Sequence, residues 1–249
     1  MKTERVVVNT LVFLEEIKKG VTQSELFAPI KDLGVRSIEI RREFIRSEIE
    51  FAQIKGEGER LEVDRYYSVP DELFVCGEMS VPRIQEYLQE ARRLGAKMVK
   101  FNLGDFRGFT DASMKALNNE LVNDSLVVTV ENDQTVENGT VNKLLPFLIE
   151  CADNKIPIYS TFDIGNWYWV GEDPLINAKQ LAPYIQYIHL KDVLFTAVGP
   201  QAVGLGKGAV PWQRVLSLLS SQIPIALEYP CGHKPIEVVS RELAVLQQF

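Results

Sequence analysis

Two hydrophobic spacings take turns along this chain. Short β-branched runs alternate with longer segments in which apolar residues recur every three or four positions, the signatures of strand and amphipathic helix. The runs predict strands over Val6–Thr10, Val35–Arg41, Leu61–Val69, Ala96–Leu103, Leu126–Glu131, Ile156–Asp163, Ile185–Leu190 and Ile223–Tyr229. The longer segments predict helices over Thr22–Leu33, Phe44–Lys55, Pro82–Leu94, Thr110–Val122, Val141–Asp153, Pro174–Leu181 and Trp212–Leu219, with a last one from about Ile236 to the end. Gly34 and Gly95 read as C-caps and Pro82 as a first-turn proline. Gly56-Glu57-Gly58 is expected to break the second helix, and Pro70 to stop the third strand. Asp71–Ser80 is expected to be an irregular connection, and Phe195–Pro211 a glycine-rich loop.

Strict alternation of strand and helix implies parallel strands joined by crossover helices. Eight such units in 249 residues favour a closed (β/α)8 TIM barrel over an open doubly wound sheet. No linker or shift of composition divides the chain, so residues 1–249 are expected to form one domain.

Composition narrows the function classes. A net charge of −7 without a Lys/Arg cluster argues against nucleic-acid binding, which needs a concentrated basic surface. Cys76, Cys151 and Cys231 are odd in number and widely spaced, which gives no disulfide framework and suits the cytoplasm, the expected location. No signal peptide or membrane-crossing apolar run is read, and no membrane partner is expected.

The candidate chemistry lies at four consecutive strand ends. Glu131 closes strand 5, Asp163 strand 6 and Glu228 strand 8, while His189, one of only two histidines, sits near the end of strand 7. In a parallel barrel alternate residues point inward, and sites are built at the C-terminal strand ends. Three carboxylates and an imidazole make a hard, oxygen-rich set for one divalent metal, Mn²⁺ or Mg²⁺ first, with Co²⁺ or Zn²⁺ as alternatives. The competing reading is four ordinary polar strand ends. The same parity turns Lys191, Lys100, Asn102, Glu39 and Arg41 inward as candidate substrate contacts, or, for Lys100 and Arg41, as partners of Glu39 in a structural ion network. His233 reads as a loop residue.

The segments Val130-Glu131-Asn132, Phe162-Asp163-Ile164-Gly165-Asn166, Tyr187-Ile188-His189-Leu190-Lys191-Asp192, Gly204-Leu205-Gly206-Lys207-Gly208 with Pro211-Trp212, and Leu227-Glu228-Tyr229 resemble the xylose-isomerase-like sugar isomerase/epimerase superfamily. The resemblance covers nearly the whole chain. It implies that Glu131, Asp163, His189 and Glu228 hold the metal, as in the ketose 3-epimerases. It further implies that Glu131 and Glu228 are the catalytic pair, moving a proton on and off carbon through a metal-stabilised enediolate of a small sugar or sugar derivative. Glu137 matches a sugar-contacting Glu, and Asn166 stands where the epimerases usually carry a His. Phe195 replaces their substrate-binding Arg. Both departures weigh against a free ketohexose substrate. A homodimer through the outer helices is a further implication.

Four functions remain in play. The reading taken forward is a metal-dependent isomerase or epimerase. A keto-inositol-type dehydratase or lyase would use the same site, and a non-catalytic sugar-binding barrel would need only its shape. A nuclease of the endonuclease IV type needs several histidines, and this chain has two.

Overall fold

The computed structural model describes residues 3–121 and 125–249. Its centre is a closed ring of eight parallel strands: β1 (Val6–Asn9), β2 (Ser37–Arg41), β3 (Asp64–Val75), β4 (Ala96–Gly104), β5 (Val127–Glu131), β6 (Ile158–Asp163), β7 (Ile185–Leu190) and β8 (Ile225–Leu227). Each pairs with its neighbours in sequence, β1 pairs with β8, and the β2–β3 pairing completes the ring. The crossovers carry α1 (Leu14–Lys18) and α2 (Phe27–Asp32), then α3 (Glu48–Leu61), α4 (Val81–Leu94), α5 (Asp111–Leu121), α6 (Val141–Asp153), α7 (Pro174–Leu181) and α8 (Trp212–Ser217); α9 (Pro235–Gln247) follows β8. The (β/α)8 expectation is met. Val122, assigned from sequence to the end of the fifth crossover helix, lies outside the described residues.

Strand alternation builds two separate cores. Outward residues such as Ile38, Ile40, Val99, Phe101, Val130, Phe162, Ile188 and Leu190 join the helices in one continuous apolar layer. Burying each such side chain contributes about 1.5–3 kcal/mol. Inward residues Val7, Tyr66, Met98, Tyr187 and Ala226 form a second, smaller cluster that plugs the barrel, with the Tyr66 and Tyr187 rings stacked 5.1 Å apart. The plug is the floor of the mouth. Among the described residues no helix is long and apolar enough to cross a membrane.

Three local expectations are corrected. The glycine pair does not end the second crossover helix: α3 begins later, at Glu48, and runs through Gly56 and Gly58 to Leu61. Gly58 is buried where a Cβ would collide with the Arg65 side chain, so it serves close packing, and the helix ends at Glu62 in the left-handed region (φ 53°). Pro70 does not stop β3 either. It falls where the β3–β4 register is shifted, between Ser68 and Glu72, so its missing N–H breaks no ladder bond, and the strand continues into a hairpin with Glu78–Met79. The first part of the expected glycine-rich loop is an antiparallel hairpin, Asp192–Thr196 with Gly199–Val203.

Candidate metal centre

Register brings the four strand-end residues together. Asp163 lies beside His189, and His189 beside Ala226, one position before the end of β8. Glu131 lies beside Asn102 on one side and Thr161 on the other. One ligand atom from each of Glu131, Asp163, His189 and Glu228 falls within 4.8 Å of all the others, and all four residues are buried.

Each is held by charged or polar side chains around it. His189 Nδ1 faces the cluster, 2.8 Å from Glu131 Oε1, while Nε2 is 3.1 Å from Glu39 Oε1. Glu39 lies beneath the imidazole, fully buried, and also accepts from Asn9 Nδ2 at 2.7 Å and the Tyr187 hydroxyl at 3.1 Å. A carboxylate behind an imidazole fixes which nitrogen carries its proton and turns the other toward the centre. Lys191 Nζ stands 2.7 Å from both Asp163 Oδ2 and Glu228 Oε2. Lys100 Nζ lies 2.6 Å from Glu131 Oε2, and Arg41 Nη1 donates to Glu228 Oε1 at 2.7 Å.

Gly165 makes the Lys191 position accessible. A Cβ there would lie 2.6 Å from Lys191 Cγ. Asp163 Oδ1 accepts from the backbone N–H groups of Gly165 and Asn166, each at 2.8 Å, which aims Oδ2 into the centre.

The charges set the proton affinities. Burial pushes Glu131 up, but Lys100 and His189 override it and hold this carboxyl well below its usual range. Burial likewise opposes ionisation of Glu228, and Lys191, His189 and Arg41 bring it down to about 2. Asp163 is raised to about 7 by burial and by the neighbouring Glu131 and Glu228, against the pull of Lys191. Burial disfavours the imidazolium of His189, yet Glu39 and Glu131 raise it well above the ordinary value.

The donor set fits a divalent ion. Asp163 Oδ2 is buried and is met by the Lys191 ammonium at 2.7 Å, and the other donors converge on the same small volume. Three carboxylates with one oriented imidazole match a hard cation better than a soft one.

Above the cluster opens a cavity of about 340 Å³, lined by Arg41, Lys100, Asn102, Glu131, Asn166, Lys191 and Glu228 among the residues singled out from sequence. Glu39 is not on its wall, because it lies under His189. Glu137 is exposed on the loop after β5 and does not line the cavity; Asp133 and Gln134 of that loop do. Lys100 and Arg41 do not ion-pair with Glu39; Lys100 pairs with Glu131, and Arg41 with Glu228 and Glu43. Trp167 is buried against Phe162, and His233 is exposed beside a groove formed with Phe13 and Ile236.

Sequence reasoning missed Asn9, although it has inward parity at the end of β1. It also missed the role of Asp192. That buried carboxylate accepts from the N–H groups of Val193, Gly206, Gly208 and Val210 at 2.8–3.0 Å and so ties the glycine-rich segment to the end of β7.

No protein-family model matches the chain, and no curated protein matches its sequence. Solved structures match its fold. Its barrel resembles those of solved proteins described as xylose isomerase domain proteins and as ketose 3-epimerases. A xylose isomerase domain containing protein from Salmonella typhimurium superimposes with a TM-score of 0.77 at 14% identity, covering 100% of this chain and 99% of that one. The probable 3-DHS dehydratase AsbF of Bacillus anthracis, involved in petrobactin synthesis, gives 0.69 at 16% identity, with 98% of both chains covered. D-psicose 3-epimerase gives 0.70 at 12% identity, again with 98% of both chains covered.

Proposed function

We propose that Glu131, Asp163, His189 and Glu228 bind one divalent metal ion, Mn²⁺ or Mg²⁺, and that the protein is a metal-dependent isomerase or epimerase of a sugar or sugar derivative. The observation that carries this reading is the convergence of four buried donor atoms within 4.8 Å at the mouth of the barrel. Bound there, a divalent cation supplies a Lewis acid for a carbonyl and its neighbouring hydroxyl.

The chain's own residues supply the rest. Glu131 and Glu228 come from β5 and from the end of β8, with two strands between them, and both line the cavity. Their cationic partners keep both ionised at neutral pH, so either can accept a proton from the carbon next to a carbonyl. As the C–H bond breaks, its electron pair moves to the carbonyl oxygen. Return of a proton to the same carbon from the opposite face gives an epimer, and return to the neighbouring carbon gives an aldose–ketose isomer. Lys100 and Arg41 orient the two carboxylates, and the cations beside them favour negative charge on the substrate oxygens.

The test is metal analysis of wild type beside Glu131→Gln, His189→Ala and Glu228→Gln, with Mn²⁺ added back. About one ion per wild-type chain, lost in each variant together with Mn²⁺-dependent stabilisation, is the expected result. Solvent deuterium uptake into ketose probes then reports proton transfer, and loss of water would identify a dehydratase instead. A wild type that binds no divalent ion would sink the reading.

A further inference from the structure

We propose that the Lys191 ammonium is a built-in competitor for the divalent ion: it holds two carboxylate oxygens that the ion needs, and it leaves them for the cavity above as the ion loads. This rests on the metal-centre reading and adds to it a residue that opposes loading.

Two carboxylates of the cluster each have one oxygen committed elsewhere. Asp163 Oδ1 accepts from the backbone N–H groups of Gly165 and Asn166, each at 2.8 Å. Glu228 Oε1 accepts from Arg41 Nη1 at 2.7 Å. What remains of the pair is Asp163 Oδ2 and Glu228 Oε2, and Lys191 Nζ stands 2.7 Å from both. Glu228 Oε2 is also the oxygen that faces His189 Nδ1, at 3.9 Å. Glu131 differs. Lys100 takes its Oε2 at 2.6 Å and leaves Oε1 beside the imidazole, 2.8 Å from Nδ1. Lys100 and Arg41 therefore hold outer oxygens, which leaves the inner ones to an ion. Of these three cations, only Lys191 holds the inner oxygens.

An ammonium and a divalent ion do not share two oxygens without cost. Both are drawn to the same lone pairs, and they repel each other where little water screens them. The ion carries twice the charge and draws on Glu131 and His189 as well, so it displaces the ammonium. Its net affinity is lower by the two contacts that Lys191 gives up.

The displaced group has a place to go. Lys191 lies on the wall of the cavity of about 340 Å³, with Asn102, Asp133 and Asn166. Its stem is closely packed: a Cβ on Gly165 would come within 2.6 Å of Cγ and 3.3 Å of Cδ. Rotation beyond Cδ is what turns Nζ out of the cluster. A loaded centre and a free ammonium on the cavity wall then arise together, and a substrate meets that ammonium only in the loaded protein.

The experiment uses the full chain, stripped with chelator, and Mn²⁺ as the titrant. Calorimetry reads the affinity of wild type, Lys191→Met and Lys100→Met. Methionine keeps much of the stem without the charge, and Lys100→Met reports what loss of any nearby cation does. Lys191→Met is expected to bind Mn²⁺ about tenfold or more tightly than wild type, with a clearly smaller gain in Lys100→Met. Stripped Lys191→Met is expected to unfold at lower urea than stripped wild type. In wild type, reductive methylation by formaldehyde and cyanoborohydride, quantified at Lys191 by peptide mass spectrometry, is expected to rise severalfold once Mn²⁺ is bound. A gain in Lys191→Met no greater than that in Lys100→Met overturns the proposal, as does labelling that Mn²⁺ leaves unchanged or lowers. If stripped Lys191→Met does not fold, the wild-type labelling decides alone. No Mn²⁺ binding by wild type or by either variant removes the metal reading, and this proposal with it.

Discussion

At the scale of single residues, the centre is governed by what lies behind its ligands. Glu39 touches no part of the cavity, yet it decides which way His189 presents its nitrogens. Glu39→Gln is expected to weaken Mn²⁺ binding about 10- to 100-fold, read by calorimetry, with little change in the far-UV spectrum. Protonation gives a second expectation for the metal-free protein. Asp163 and His189 have folded-state pKa values raised above their ordinary ones, so the stability they contribute is complete at low pH and is lost as pH rises through those values. Glu228 is lowered from 4.5 to about 2, so its contribution is complete above about 4.5 and is lost as pH falls toward 2. The contribution of the cluster therefore peaks on the acid side of neutrality, near pH 4–5. Denaturant midpoints measured in chelator should fall as pH rises from about 4 to about 7, and Asp163→Asn should flatten that fall.

Elements carry the next set of consequences. Gly56 and Gly58 sit two residues apart in α3 with opposite roles. A Cβ at Gly56 meets nothing within 4 Å, whereas one at Gly58 meets Arg65. Gly56→Ala should therefore raise stability by about 0.5–1 kcal/mol, while Gly58→Ala should gain less or lose, as measured by urea unfolding. Asp192 is the clasp of the segment after β7. Asp192→Ala leaves four backbone donors without their acceptor, and a loss of about 2 kcal/mol or more is expected. Faster proteolytic cleavage within 204–210 would show that the loss is local to that loop. Unchanged cleavage would show that Asp192 does not hold it.

For the whole molecule, the barrel divides its interior by height. The apolar plug of Val7, Tyr66, Met98, Tyr187 and Ala226 closes the floor, and the charged side chains crowd above it. A dry floor lowers the local dielectric and so strengthens every ion pair in the mouth. Site and scaffold are thus coupled through Tyr187, whose ring is part of the plug and whose hydroxyl donates to Glu39. Tyr187→Phe should keep the packing and lower Mn²⁺ affinity less than Glu39→Gln does, since one of several bonds to that carboxylate is lost.

Much of this was legible in the sequence, for a physical reason. Strand parity is a local property with a period of two. The strand ends Glu131, Asp163 and Glu228, and the inward turn of His189, Lys191, Lys100 and Arg41, could therefore be read from their apolar neighbours alone. The alternation of strand and helix determined the barrel in the same way. Where local signals stood for tertiary ones, the reading went astray. Gly58 is a contact with Arg65 rather than a break, and Pro70 is tolerated because the neighbouring strand shifts register there. Only the closed ring decided which inward side chain meets which. It put Glu39 of β2 under His189 of β7, placed Lys191 between two carboxylates, and left Glu137 outside the cavity. Such pairings join residues as far as 187 positions apart, as Arg41 and Glu228 are, and no periodicity within one segment encodes them.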